Sequence, residues 1–175
     1  MDRLYDNLGL TSAISRLGLA FSSDSEAALV QRHLRLIEAA MPAFNLDPAM
    51  AHLAAEIAAF EDNLPAAQRV ALITLIVASM VALNEGSTRL PVTGPLALEP
   101  MTRILAPLCA APDAPDSDSL AEISRTLDTI TMMLDTGAAS SVIARAPDEY
   151  RPLLYLAPYL YHQRIHAAEV RLAGD

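Results

Sequence analysis

Four histidines, one cysteine, 21 carboxylates and a set of arginines are the side chains of this 175-residue chain that could do chemistry. His162 and His166 are spaced i, i+4, which on a helix puts two imidazoles on one face, the spacing zinc proteins use. No Glu follows the first His in the His-Glu-x-x-His manner and no third ligand is evident, so the pair reads as exposed or sheet-edge residues rather than a metal centre. Cys109, the only cysteine, cannot form an internal disulfide or a Cys-based zinc site. It sits in the apolar run Ile104-Leu105-Ala106-Pro107-Leu108-Cys109-Ala110 and reads as a buried small hydrophobe, not a nucleophile. There is no lysine; all 12 basic side chains are Arg. A phosphate loop of the Gly-x-x-x-x-Gly-Lys type is therefore excluded, as is any Schiff-base lysine. The chain alone should not hydrolyse ATP.

Other candidates are weighed against structural roles. Arg164 and Glu169 are five residues apart and do not face each other as i, i+4 partners would. Arg164 is expected to pair with another element, with Glu85 as the candidate, or to contact a partner. Tyr150, Tyr155, Tyr159 and Tyr161 could stack bases, but packing on a sheet is the better reading. The serines around Ser23 and Ser119 fall in capping boxes, Ser23-Asp24-Ser25-Glu26 and Ser119-Leu120-Ala121-Glu122. No Gly-x-Ser-x-Gly occurs. Glu61-Asp62, Glu99 and Asp113 to Asp116 fall at element ends or in loops, where charges are normally solvated, so no acid pair is marked out for catalysis.

The elements that must position these residues are mostly helices. With 53% hydrophobic residues the chain is long enough to bury a core, and with 5% aromatics that core is built from Leu, Ala, Ile, Val and Met. A net charge of −9 implies weak or no direct nucleic-acid binding, since affinity there comes largely from Lys and Arg on phosphates. The N-terminus shows no signal-peptide pattern, and the apolar run 70–83 is shorter than the ~20 residues of a membrane span. A cytoplasmic protein is the expectation.

Capping and periodicity predict a helix from Ser23 to about Met41, with Leu29, His33, Leu36 and Ile37 near one stripe. Asp47-Pro48 starts a second, carrying Met50, Leu53, Ala54, Ile57 and Phe60 inward. Leu64-Pro65 opens a third, apolar nearly all round from Val70 to Leu83, which should be the buried central helix, with Gly86 ending it. A short extended piece at 90–92, a turn at 93–95 and a helix over 101–110, kinked near Pro107, follow. A proline-rich loop, Ala111 to Asp116, precedes a helix from Ser119 to about Asp135 with Leu120, Ile123, Leu127, Ile130 and Leu134 in one stripe, closed by Gly137. Residues 141–144 read as a strand and Pro147-Asp148 as a turn. Leu153-Leu154-Tyr155, a break at Ala157-Pro158, and Tyr159-Leu160-Tyr161 read as a hairpin feeding a final helix with Ile165, Ala168, Val170 and Leu172 at helical spacing. Leu154 and Tyr161 are expected on one face of the paired strands, against the 65–84 helix. The fold class is mainly α, a compact helical domain around a buried central helix with a small β-hairpin or short sheet near the C-terminus.

Two segments carry a family resemblance. Pro152, Leu153, Leu154, Tyr155, Leu160, Tyr161, Arg164 and Glu169 follow, without a gap, the pattern Pro-Leu-hydrophobic-hydrophobic, turn, Leu-Tyr-x-x-Arg and a Glu five residues on. Upstream, the apolar helix 70–83 leads into Asn84-Glu85-Gly86-Ser87-Thr88-Arg89-Leu90-Pro91. There Glu85, Gly86, Leu90 and Pro91 match Glu-Gly-His-hydrophobic-Cys-Leu-Pro, while Ser87 and Arg89 replace the usual His and Cys. In these segments the chain resembles the N-terminal domain of the exodeoxyribonuclease V alpha chain, the RecD helicase subunit family, over about residues 47–172. Residues 1–46 match nothing in that pattern and are expected to be an N-terminal helical extension ahead of a 47–175 RecD-like unit.

The resemblance implies a non-catalytic interaction domain of an ATP-dependent DNA helicase and nuclease that processes double-strand breaks in repair and recombination. Its partners would be other subunits of a RecBCD-like complex or a downstream motor domain, with ATP and Mg belonging to that motor and no cofactor in this chain. Glu85, Gly86, Tyr161, Arg164 and Glu169 are the candidate structural or interaction residues. The end at Gly174-Asp175, before any phosphate loop, fits a domain of a longer polypeptide and a copy without a motor equally well. The alternatives are a stand-alone helical scaffold or regulatory protein without a DNA role, and a small-molecule site built on His162 and His166.

Overall fold

The computed structural model describes residues 24–109 and 116–174. The Ser23 cap, the loop from Ala111 and the burial of the Cys109 side chain lie outside what it describes.

Six helices and a four-stranded sheet make up the described chain. The helices are α1 (Asp24–Ala40), α2 (Ala49–Ala58), α3 (Ala66–Asn84), α4 (Leu98–Cys109), α5 (Asp116–Thr136) and α6 (Gln163–Gly174). The strands are β1 (Arg89–Pro91), β2 (Ile143–Ala144), β3 (Leu153–Leu156) and β4 (Tyr159–His162). The mainly α class and the small C-terminal sheet are as expected from the sequence.

α3 is the centre. From Val70 to Ser79 every residue is buried, and α1, α2, α4 and α5 all pack against it. A helix apolar on every side has no solvent face, so it is stable only when surrounded. By length and composition α3 would also pass for a membrane span, but 78% of that stretch is buried within the protein, which accounts for its apolarity as a core helix. Its end is a Schellman motif. Gly86 takes φ +86°, the Ser87 N–H reaches the Ala82 carbonyl at 2.9 Å and the Gly86 N–H reaches Leu83 at 3.0 Å. A residue with a Cβ is strained at that φ.

Several helix faces differ from the expected stripes. In α1 the buried residues are Val30, His33, Leu34, Ile37 and Ala40, while Leu29 is exposed and Leu36 half-buried. Met41 continues that stripe into a 3-10 turn, Met41–Phe44. α1 thus enters the same core as α2 to α5. In α2, Asp47 Oδ1 does accept the Ala49 N–H at 2.8 Å. The buried face, however, is Ala51, Ala54, Ala55 and Ala58, with Leu53 and Phe60 exposed. Small side chains let α2 approach the already bulky surface of α3, and close backbone approach outweighs the burial of two larger residues that fit only on the outside. α4 starts at Leu98 and runs through Pro107. α5 starts at Asp116, so Ser119 lies inside the helix rather than capping it. Its inward residues include Ile123, Ile130, Met133 and Leu134.

The sheet order is β1-β4-β3-β2. β3 and β4 form the expected hairpin, with Leu154 opposite Tyr161 and Tyr155 opposite Leu160, across a turn containing a cis Ala157–Pro158 bond. β1 adds antiparallel to β4 and β2 parallel to β3. Side chains alternate between faces. Ile143, Leu153, Tyr155, Leu160 and Leu90 join the helical core, whereas Leu154 and Ala144, fully buried, lie on the opposite face. Leu154 and Tyr161 therefore share a face, as expected, but it is the face turned away from α3. The register decides this: Leu153, not Leu154, is in phase with the core-facing Leu160.

Candidate functional site

Residues 89–91 and 159–161, far apart in sequence, meet in the sheet. Arg89 pairs with Tyr161, Leu90 with Leu160 and Pro91 with Tyr159, and the Val92 N–H donates to the Pro158 carbonyl at 2.9 Å. On the face away from α3 these residues form a ladder of rings. The Arg89 guanidinium lies 4.7 Å from the centroid of Tyr159, Tyr159 meets Tyr161 edge-on at 6.3 Å, and Tyr161 meets His166 edge-on at 5.0 Å. Contacts of this geometry add to area burial and fix the root of α6 on the sheet. Tyr155 is on the other face, its hydroxyl 2.9 Å from Thr93 Oγ1, and Tyr150 stands 89% exposed. The four tyrosines thus form no single stacking platform.

His162 and His166 do not share a helix face. His162 is the last residue of β4, pointing to the α3 side beside the Ser79 carbonyl, whereas His166 lies on α6 against Tyr161. Periodicity could not reveal that the strand-to-helix boundary falls between them. Among the described residues, no group of three or more His, Cys, Asp or Glu is placed to hold a metal. Burial holds the His162 pKa below its usual value, against the raising effect of the Ser79 carbonyl.

Glu85 pairs with Arg103, not with Arg164. The guanidinium of Arg103 donates to both carboxylate oxygens at 2.7 and 2.5 Å, tying the end of α3 to α4. The hydrogen bond from Arg103 holds the Glu85 carboxyl below its usual range, and raises Arg103 in turn. Gly86 serves the Schellman turn described above. Arg164 and Glu169 are both exposed on α6. The structure therefore brings Tyr161 and the 89–91 strand together, keeps Glu85 with Arg103, and leaves Arg164 and Glu169 on the outer surface.

Two buried charged side chains, each held by backbone groups, went unseen in the sequence. Glu61, expected to be solvated, is buried, and its Oε1 accepts the backbone N–H groups of Ser141 and, at 3.2 Å, Val142. Arg69 is 2% exposed and donates to the carbonyls of Ala58 at 3.4 Å and Asp62 at 3.3 Å. Burial lowers the pKa of Arg69, partly offset by the charges of Asp62 and Glu61. The arrangement caps the C-terminus of α2 with a cation and fixes the loop ahead of β2. It is scaffolding rather than a reaction centre, and nothing local to either residue signals a contact across some 80 positions. His33 is likewise structural: Thr74 gives its hydroxyl proton to the Val70 carbonyl at 2.8 Å, so His33 Nε2–H donates to Thr74 Oγ1 at 2.7 Å. Burial lowers the His33 pKa to about 4.

A cleft of about 330 Å³ opens beside the root of α6, lined by Tyr150, Arg151, Pro152, His162, Gln163 and Arg164. No family model matches the chain, and no curated protein or solved structure is significantly similar to it.

Proposed function

We propose that this chain is a non-catalytic docking domain of the RecD type, the N-terminal unit of an exodeoxyribonuclease V alpha chain acting in the cytoplasm in double-strand break repair. One observation carries the reading: the two segments whose residues match that family pattern, 85–91 and 152–169, are hydrogen-bonded neighbours through β1 and β4. Residues far apart in sequence that match one pattern and form one element are more coherent than two unrelated matches. A second support is that Arg164 and Glu169 lie exposed on a helix that projects from the sheet, where a partner subunit or motor domain can reach them. The chain has no lysine for a phosphate loop, so in this reading ATP and Mg belong to the motor, and the domain contributes position rather than chemistry.

The test is copurification from the native host with mass-spectrometric identification. The expected outcome is recovery of helicase and nuclease subunits of a RecBCD-like complex with the tagged chain. Recovery of none of them, or tight and steeply salt-dependent binding of duplex DNA by the chain alone, would overturn the reading.

A further inference from the structure

α6 runs past its own contacts. Its first turn is held to the body by Gln163, whose Nε2 donates to the Pro147 carbonyl at 2.9 Å, and by His166, edge-on to Tyr161. From Ala167 to Ala173 every side chain is exposed, Leu172 by 79%. At the helical repeat of 3.6 residues per turn, Ile165, Ala168 and Leu172 share one stripe, on the side of α6 away from Gln163 and His166. Their spacing of i, i+3, i+7 is that of the a, d and next a positions of a heptad, the seam along which two helices pack.

The charges beside the stripe fit the same frame. Arg164 falls at a g position and Glu169 at an e position, so they flank the seam on opposite sides. Among the described residues neither has an ion-pair partner. Five residues apart, they do not face each other on one helix. Five residues is, however, the offset between a g residue and the e residue it meets on a parallel partner helix. A two-fold axis along α6 therefore sets Arg164 of each copy against Glu169 of the other. Antiparallel pairing would instead set g against g, bringing the arginines at 164 and 171 together.

We infer that α6 is a self-association element: a second copy of this chain lies parallel to it along Ile165, Ala168 and Leu172, with Arg164 and Glu169 paired twice across the seam. It stands independently of the docking reading, in which a partner subunit would meet the paired helices. The stripe faces away from the anchoring residues, so the two bodies sit on opposite sides of the pair and do not obstruct it. α6 is already nucleated on β4, which removes part of the cost of ordering so short a helix. The seam spans about 18 Å of helix and buries far less than the roughly 1,600 Å² of a standard interface, so the dimer belongs to the micromolar to millimolar range. Net charge of −9 on each copy opposes the approach, but salt screens that repulsion beyond about 8 Å and leaves the contacts of the seam to decide.

Sedimentation equilibrium of the 175-residue chain, from micromolar to millimolar concentration at physiological salt, tests this. The expected result is a monomer–dimer equilibrium that Arg164→Glu and Glu169→Arg each weaken about tenfold. Both positions are exposed, so dilute samples of the variants should melt as the wild type does. Mixing the two variants should restore the wild-type affinity, because each then supplies the charge the other lacks. With Cys109→Ala removing the native thiol, Leu172→Cys should cross-link to its counterpart under mild oxidation, and Val170→Cys, on the other side of the helix, should not. A chain that stays monomeric at millimolar concentration overturns the inference and leaves α6 to a different protein. A dimer that the charge variants leave intact, or that their mixture fails to restore, overturns it too, as does cross-linking of Val170→Cys as fast as of Leu172→Cys. None of these results decides the docking reading, which stands or falls with the copurification.

Discussion

α3 and α6 are both helices with apolar residues, and they differ in where those residues end up. α3 buries Leu72, Ile73, Leu75, Ile76 and Val77 almost completely. α6 is anchored only through its first turn: Gln163 is buried, Ile165 and His166 are half-buried, and from Ala167 onward its described side chains are exposed. Val170 and Leu172, placed in an inward stripe by their spacing, are 57% and 79% exposed. Helical periodicity reports that a face is apolar, not that the same chain covers it. α3 holds the fold together, whereas most of α6 adds little buried surface to it.

The largest effect should come from the centre of α3. Leu75→Ala removes a fully buried side chain and should cost ~2–5 kcal/mol. Thermal melts against Ala67→Ser, on the exposed side of the first turn, will show it; Ala66, one position earlier, is buried and would be a poor control. Equal melting temperatures would mean that α3 is not the core.

Acidification should come next. His33 is neutral in the fold and protonates readily once unfolded. Its folded pKa of about 4 lies below the ordinary 6.5, so the unfolded chain binds more protons between these values. Stability from this group is complete above pH 6.5 and falls as pH drops toward 4, by about 3 kcal/mol in all. Urea melts at pH 7.5 and 4.5 should show this loss, and His33→Gln, which keeps a donor for Thr74, should lack that part of the slope.

Removal of the Glu61 carboxylate is a smaller test of the same core. Glu61→Ala leaves the Ser141 N–H without its acceptor and should cost about 1–3 kcal/mol, with faster amide exchange at 141–144 ahead of any change in α6. The smallest effect is expected on α6 itself. Val170→Ser with Leu172→Ser should move stability by no more than about 0.5 kcal/mol, and a larger loss would show that α6 packs on its own domain and would erase the contrast with α3.

Much of this architecture was legible in the chain. The unbroken run Val70 to Leu83, Gly86 after it, and the hairpin around Ala157-Pro158 each have a local cause, and each appears where that cause placed it. The errors have a common origin in long-range geometry. The alanine face of α2 was hidden because spacing favours large residues, while a crowded α3 favours small ones. Glu61 looked solvated because its two N–H partners lie some 80 residues away. The pairing of Arg103 with Glu85, rather than Arg164 with Glu85, depends on how α4 crosses the end of α3. At the candidate site, Arg164 stands out by its position in a pattern, whereas the separation of His162 from His166 depends on the strand ending at His162 and the helix starting at Gln163.

The place of β4 in the sheet has a mechanical consequence. It is an inner strand, laddered to β1 on one side and β3 on the other, and α6 continues directly from it. Any tug on α6 is therefore shared between two rows of hydrogen bonds, one of which leads through the short link after Gly86 to the root of α3. An edge strand in the same position would peel away one bond at a time; this arrangement makes the outermost helix a handle fastened to the middle of the molecule.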